Sequence, residues 1–99
     1  MDAWLQCEVS AGQFETEAAI RGTDFNGEAF SLFVPARCVK PPVSSLGPNE
    51  WSRGKLQVEI LDTREGNNLV ELPGQTFGNG QTITVREAQL ERIQPAQPA

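Results

Sequence analysis

The chain writes one pattern twice. Leu5-Gln6-Cys7-Glu8-Val9 matches Leu56-Gln57-Val58-Glu59-Ile60, and Ile20-Arg21-Gly22-Thr23-Asp24-Phe25 matches Leu72-Pro73-Gly74-Gln75-Thr76-Phe77. Leu32-Phe33-Val34 matches Ile83-Thr84-Val85, and Val39 matches Leu90. The offset is 51 residues at both ends and 52 in the middle, so one small insertion reconciles the two copies. An internal repeat decides architecture before local propensity does, because both copies must bury the same face. Here the apolar, glycine and aromatic positions agree in order along the whole unit.

Within each unit the apolar residues alternate, which is the signature of half-buried strands. Leu5, Cys7 and Val9 point one way on the first strand, Ala18 and Ile20 on the second, and Phe30, Leu32 and Val34 on the third. Asn26-Gly27 between the second and third is a strong hairpin signal. In the second unit, Leu56, Val58 and Ile60 form one inward set and Ile83 with Val85 another. Leu69–Leu72 lies between them, closed by Pro73-Gly74. Arg64-Glu65-Gly66-Asn67-Asn68 and Phe77-Gly78-Asn79-Gly80 supply the turns. Residues 87–93 favour a helical turn or a short last strand.

A lone three-stranded meander leaves one apolar face bare and two edges open. Two related meanders can pack those faces and pair those edges. The sequence therefore predicts an all-β fold, a small six-stranded antiparallel barrel or sandwich built from two repeated three-stranded meanders. A single domain spans residues 1–93, with half-repeats at 3–40 and 55–93. The connector 41–54 is rich in proline, serine and glycine, which punctuate rather than extend structure. Residues 94–99, Gln-Pro-Ala-Gln-Pro-Ala, have nothing to bury and read as a disordered tail.

Phe33-Val34-Pro35-Ala36-Arg37-Cys38-Val39-Lys40 resembles the closing segment of SH3 domains, which runs strand, helical turn, last strand. The resemblance implies that geometry here, with a helical turn after Pro35 and a strand stub at Val39. Cys38 stands where that family carries its peptide-binding tyrosine, so the resemblance concerns shape rather than proline-rich ligands.

Composition narrows the chemistry. There is no histidine, so the commonest general base and metal ligand is missing. Two cysteines are too few for a disulfide framework or a zinc site. Cys7 reads as a small core residue and Cys38 as a more exposed turn residue. Glu8 and Glu59 are repeat equivalents that alternate with core positions and so face solvent. Asp62, Glu65 and Asn67 crowd one turn, but their spacing fits no calcium loop. The glycines at 78 and 80 lead into a strand, not into the helix a phosphate cradle needs. These readings predict no enzyme, no cofactor and no metal.

Net charge is −5, and neither half is basic as a whole. Nucleic-acid affinity rests on Lys and Arg neutralising phosphates, so this balance weighs against it. No apolar run approaches the roughly 20 residues of a membrane helix, and Met1-Asp2 lacks the basic start of a signal peptide. The expectation is a cytoplasmic protein.

The aromatics carry the functional reading. Phe25 and Phe77, equivalents in the two units, are expected to plug the barrel ends. Trp4 and Phe33 are expected to face outward, whereas their equivalents Lys55 and Thr84 are polar. The two units thus agree inside and differ outside. An apolar patch on an acidic domain marks a contact surface. Trp4, Phe33 and Trp51 are accordingly the candidate partner surface of a protein-interaction module that binds another protein or its own copy. The alternatives are an RNA- or translation-associated small barrel, or a small enzyme.

Overall fold

The computed structural model describes residues 1–78 and 80–93. The expected disordered tail, 94–99, lies outside the described residues. Eight strands run in chain order: β1 Asp2–Ala11, β2 Glu17–Thr23, β3 Ala29–Pro35, β4 Val39–Lys40, β5 Ser52–Arg64, β6 Asn67–Thr76, β7 Gly80–Arg86 and β8 Leu90–Arg92. The six long strands are the two predicted meanders. The two short ones, β4 and β8, follow single 3-10 turns at Ala36–Cys38 and Glu87–Gln89. Strand, 3-10 turn, short strand therefore occurs once in each repeat.

The strands pair antiparallel throughout. β5, β1, β2, β3 and β6 close into a ring, with β7 added on β6. At the centre, β1 lies against β5 with Leu5 opposite Leu56 and Gln6 opposite Lys55. Leu5 and Leu56 are equivalents in the repeat, so each copy meets the other about a local two-fold axis. The short strands obey the same axis. β4 of the first copy pairs with β5, Val39 opposite Leu56. β8 of the second copy pairs with β1, Leu90 opposite Leu5. Each copy thus hands its last strand to the other.

The period-two reading locates the core. Leu5, Val9, Ala18, Ile20, Phe30, Leu32, Val34 and Val39 are buried from the first copy, and Leu56, Val58, Val70, Leu72, Ile83 and Val85 from the second. Two positions depart from it. Cys7 is only partly buried, at the margin of this core. Ile60 is also half-buried, because the β5–β6 register slips between Ile60 and Asp62. A bulge of this kind re-aims the residues around it.

The turns follow their residue types. At Glu65-Gly66 both residues take positive φ, 53° and 81°, as a two-residue type I′ hairpin requires. Asp24 secures the other hairpin by accepting from the Asn26 and Glu28 amides at 2.8 and 2.9 Å.

β6 runs further than the sequence suggests, through Pro73-Gly74 to Thr76. The proline is tolerated because the β6–β7 register is interrupted between Glu71 and Thr76, so no ladder partner needs its missing N–H. Beyond that break β6 meets β3, Thr76 opposite Leu32. Gly74 allows the crossing, since a Cβ there would lie 2.7 Å from the Phe33 carbonyl oxygen. β5 likewise starts earlier than expected, at Ser52. Within the connector, Val43 and Leu46 pack against the core.

Chemical denaturation tests this packing. Leu56→Ala should destabilise by about 2–5 kcal/mol, as truncation of a buried leucine does. Glu59→Ala, outward on the same strand, should change stability by about 0.5 kcal/mol or less. Gly54→Ala should destabilise by about 1–3 kcal/mol or more, because its Cβ would lie 2.2 Å from the Lys40 carbonyl oxygen. A silent Gly54→Ala would refute the close approach of β4 to β5.

Candidate functional site

An open concavity follows from the strand exchange. β8 pairs with β1 over Ala3–Leu5, and β2 pairs with it from Glu8 onward. Gln6 and Cys7 pair with neither, which leaves a gap on that side of β1. Gln89 spans the gap by donating from Nε2 to the Thr23 carbonyl at 2.8 Å. The result is an open groove of about 890 Å³, lined among others by Gln6, Cys7, Arg21, Arg53, Lys55 and Gln89.

Strand alternation gathers charge around it. Glu8 stands opposite Arg53 on one side and Arg21 on the other. Arg21 spends its guanidinium on Glu8, with contacts of 3.1 and 3.3 Å, and lies 4.1 Å from the Trp51 ring centre. Lys55 bonds Glu91. Lys40, opposite Lys55 across β4 and β5, sits 4.6 Å over the Trp4 ring. Contacts of this kind draw the cation to the face of the ring.

Cys7 is a poor nucleophile in this groove. Burial pushes its thiol up to about 12, and neighbouring Glu8 adds to the effect. A thiol at that value is almost wholly protonated at neutral pH, and the thiolate is the reactive form. Among the described residues, no group of three or more His, Cys, Asp or Glu side chains is placed to hold a metal ion.

The three predicted surface residues do not form one patch. Trp4 is half-buried, beneath Lys40. Phe33 is 42% exposed, as expected for an outward position. However, its row across the sheet runs through Ala19 to Ser10. Trp4 lies six residues along β1 from Ser10, about 20 Å at strand rise. Trp51, 37% exposed, joins Arg21 at the groove instead.

Phe33 has a different companion. Phe77 is 71% exposed and meets it edge to face, ring centres 5.5 Å apart at 84°. The expectation that Phe77 plugs a barrel end is therefore overturned. The β6–β7 turn crosses to β3, where the Phe77 amide donates to the Ser31 carbonyl at 3.1 Å. Phe25, the equivalent in the other copy, is half-buried and donates from its amide to Thr84 at 2.8 Å.

A polar cluster that the sequence reading passed over sits on the far side. Asn68 is fully buried. It accepts from Thr63 Oγ1 and donates to Glu87 Oε2, both at 2.6 Å. Arg92 closes the circuit onto Glu87 at 2.8 and 3.0 Å and reaches Asn68 Oδ1 at 3.3 Å. Alternation offered a signal, since Asn68 shares the parity of inward Val70 and Leu72. The cluster ties β8 and its 3-10 turn to the barrel. Its hydrogen bonds from Arg92 and Asn68 hold the Glu87 carboxyl below its usual value.

Two measurements follow. A depressed folded-state value means that Glu87 stabilises above its ordinary value of 4.5 and loses that contribution as pH falls further. Melting temperature should therefore drop less between about pH 6 and pH 3 in Glu87→Gln than in the parent chain; equal drops would refute the role. Iodoacetamide at about pH 8 should label Cys7 slowly in the folded protein and rapidly in denaturant. Equal rates would contradict its burial. Compared with protein-family models, curated proteins and solved structures, the chain matches none.

Proposed function

We propose that the protein is a non-enzymatic protein-interaction module on an SH3-like barrel, with the Phe33–Phe77 pair at the centre of its contact surface. The observation that carries this reading is the exposed, edge-to-face aromatic pair itself. Phe33 and Phe77 together leave open about as much surface as one whole phenylalanine side chain. Covering it would contribute roughly 2–3 kcal/mol, or about a hundredfold in affinity. Thr84 stands where the second copy could have carried the same ring, so the barrel itself does not require Phe33. Aromatic anchors of this kind dominate protein interfaces.

The SH3-like assignment is supported by the closed ring of strands and by the strand, 3-10 turn, strand ending of each copy. Among the described residues, no helix is long and apolar enough to cross a membrane. A cytoplasmic setting accords with the two unbridged cysteines. Reducing compartments keep thiols free.

The test pairs Phe33→Thr with Phe77→Ser. The double variant should keep its fold, with melting temperature within about 5 °C of the parent. A protein recovered on the immobilised parent chain from its own cells should be lost on the variant. A partner that still binds, or a variant that unfolds, would overturn this surface.

A further inference from the structure

The local two-fold axis supplies an internal control for the outer face of β1 and β5. Each outward position on one side of the axis has an equivalent on the other. Lys40 corresponds to Glu91, Arg53 to Asp2, Lys55 to Trp4 and Arg21 to Pro73. Glu8 and Glu59 correspond to each other. Among side chains, one side therefore carries four cations and one carboxylate and the other three carboxylates and no cation, the Met1 ammonium there being turned onto the Ile60 carbonyl at 3.5 Å. The packing needs no such division, because the inward equivalents remain apolar in both copies.

The charges are also unequally satisfied. Arg21 pairs with Glu8 and Lys55 with Glu91. Arg53, Asp2 and Glu59 have no ion-pair partner among the described residues. Asp2 and Glu59 face each other directly across the ladder and are both exposed. Like charges directly opposite destabilise a sheet. A cation from outside would relieve them.

We infer that the occupant of this face is a second copy of the chain, joined about a two-fold axis that lies in the face along the charge divide. That rotation sets the cationic side of each copy over the acidic side of the other. Arg53 then meets the Asp2–Glu59 pair twice, once in each direction. Such a self-complementary contact closes as a dimer and leaves no open end to propagate. Trp4, beneath Lys40, and Trp51, against Arg21, supply its apolar ground. Nucleic acid suits the face less well, because a phosphate backbone drawn to Arg53 and Lys40 would run onto Asp2, Glu59 and Glu91. Arg21 also lines a pocket with Phe77, but the positions substituted below are not shared with the Phe33–Phe77 pair, so either can fail without the other.

Sedimentation equilibrium with charge-swapped variants tests the inference. The parent chain should run at twice its chain mass at low salt. It should dissociate in about 1 M salt, where screening acts within about 3 Å. Arg53→Asp sets a carboxylate against the Asp2–Glu59 pair of the other copy, and Asp2→Arg sets a cation against the other copy's Arg53. Each should raise the dimer dissociation constant at least about tenfold. Arg53→Asp combined with Asp2→Arg exchanges the charges and should restore association. Both positions are exposed, and circular dichroism of each variant verifies the fold. A parent chain that stays monomeric at low salt, or a double variant no better than the singles, would overturn the dimer. So would binding of a single-stranded oligothymidine that Asp2→Arg strengthens, since the cationic side would then serve nucleic acid.

Discussion

The ladder between β1 and β5 is the contact on which everything else rests. Its register places Leu5 opposite Leu56, so the two copies of the repeat meet at their own equivalent residues. From that one pairing the rest follows by symmetry. Val39 reaches Leu56 as Leu90 reaches Leu5. Sliding the ladder by one residue would turn Leu5, Leu56 and Val58 to solvent together. The core is therefore a consequence of register as much as of apolar content, and on the other side of β5 Gly54 lets the Lys40 backbone of β4 approach.

Symmetry inside the barrel coexists with divergence outside it. Inward positions are constrained twice, by strand parity and by contact with the other copy, so they stay apolar. Outward positions are constrained by neither, and the two copies have drifted apart there. Lys40 faces the world where Glu91 does in the other copy, and Phe33 where Thr84 does. The Asn68, Glu87 and Arg92 circuit is likewise confined to one copy; the counterparts in the other are Thr16, Ala36 and Pro41. What a duplicated barrel can do is written in these mismatches.

Much of this was legible in the sequence. Period-two alternation located the core residues of both meanders, and Asn26-Gly27 and Glu65-Gly66 marked their hairpins. The closing segment at Phe33–Lys40 announced its 3-10 turn. Pairings between distant strands were not legible, because alternation fixes which way a side chain points but not which strand lies beside it. That is why Trp4 and Phe33, both outward, were expected to share a patch and lie apart. The same gap hid the meeting of Phe77 with Phe33, which depends on β6 crossing to β3 beyond a ladder break. Asn68 was missed for a different reason: a polar residue at an inward parity reads as a strand end until its partners Thr63, Glu87 and Arg92 are seen together.

The exchange of short strands has a consequence for how the chain acquires its shape. Leu90 must find Leu5, its neighbour in β8 and β1, across nearly the whole sequence. The first meander can form its hairpins alone, yet its closing strand β4 has no partner until β5 exists. Folding dominated by such distant pairings runs in milliseconds to seconds, because loop closure must precede the contacts that compensate it. A chain emerging from the ribosome would hold its first apolar face uncovered until most of the second copy had followed. Completion would then come as a single cooperative event shared by both copies.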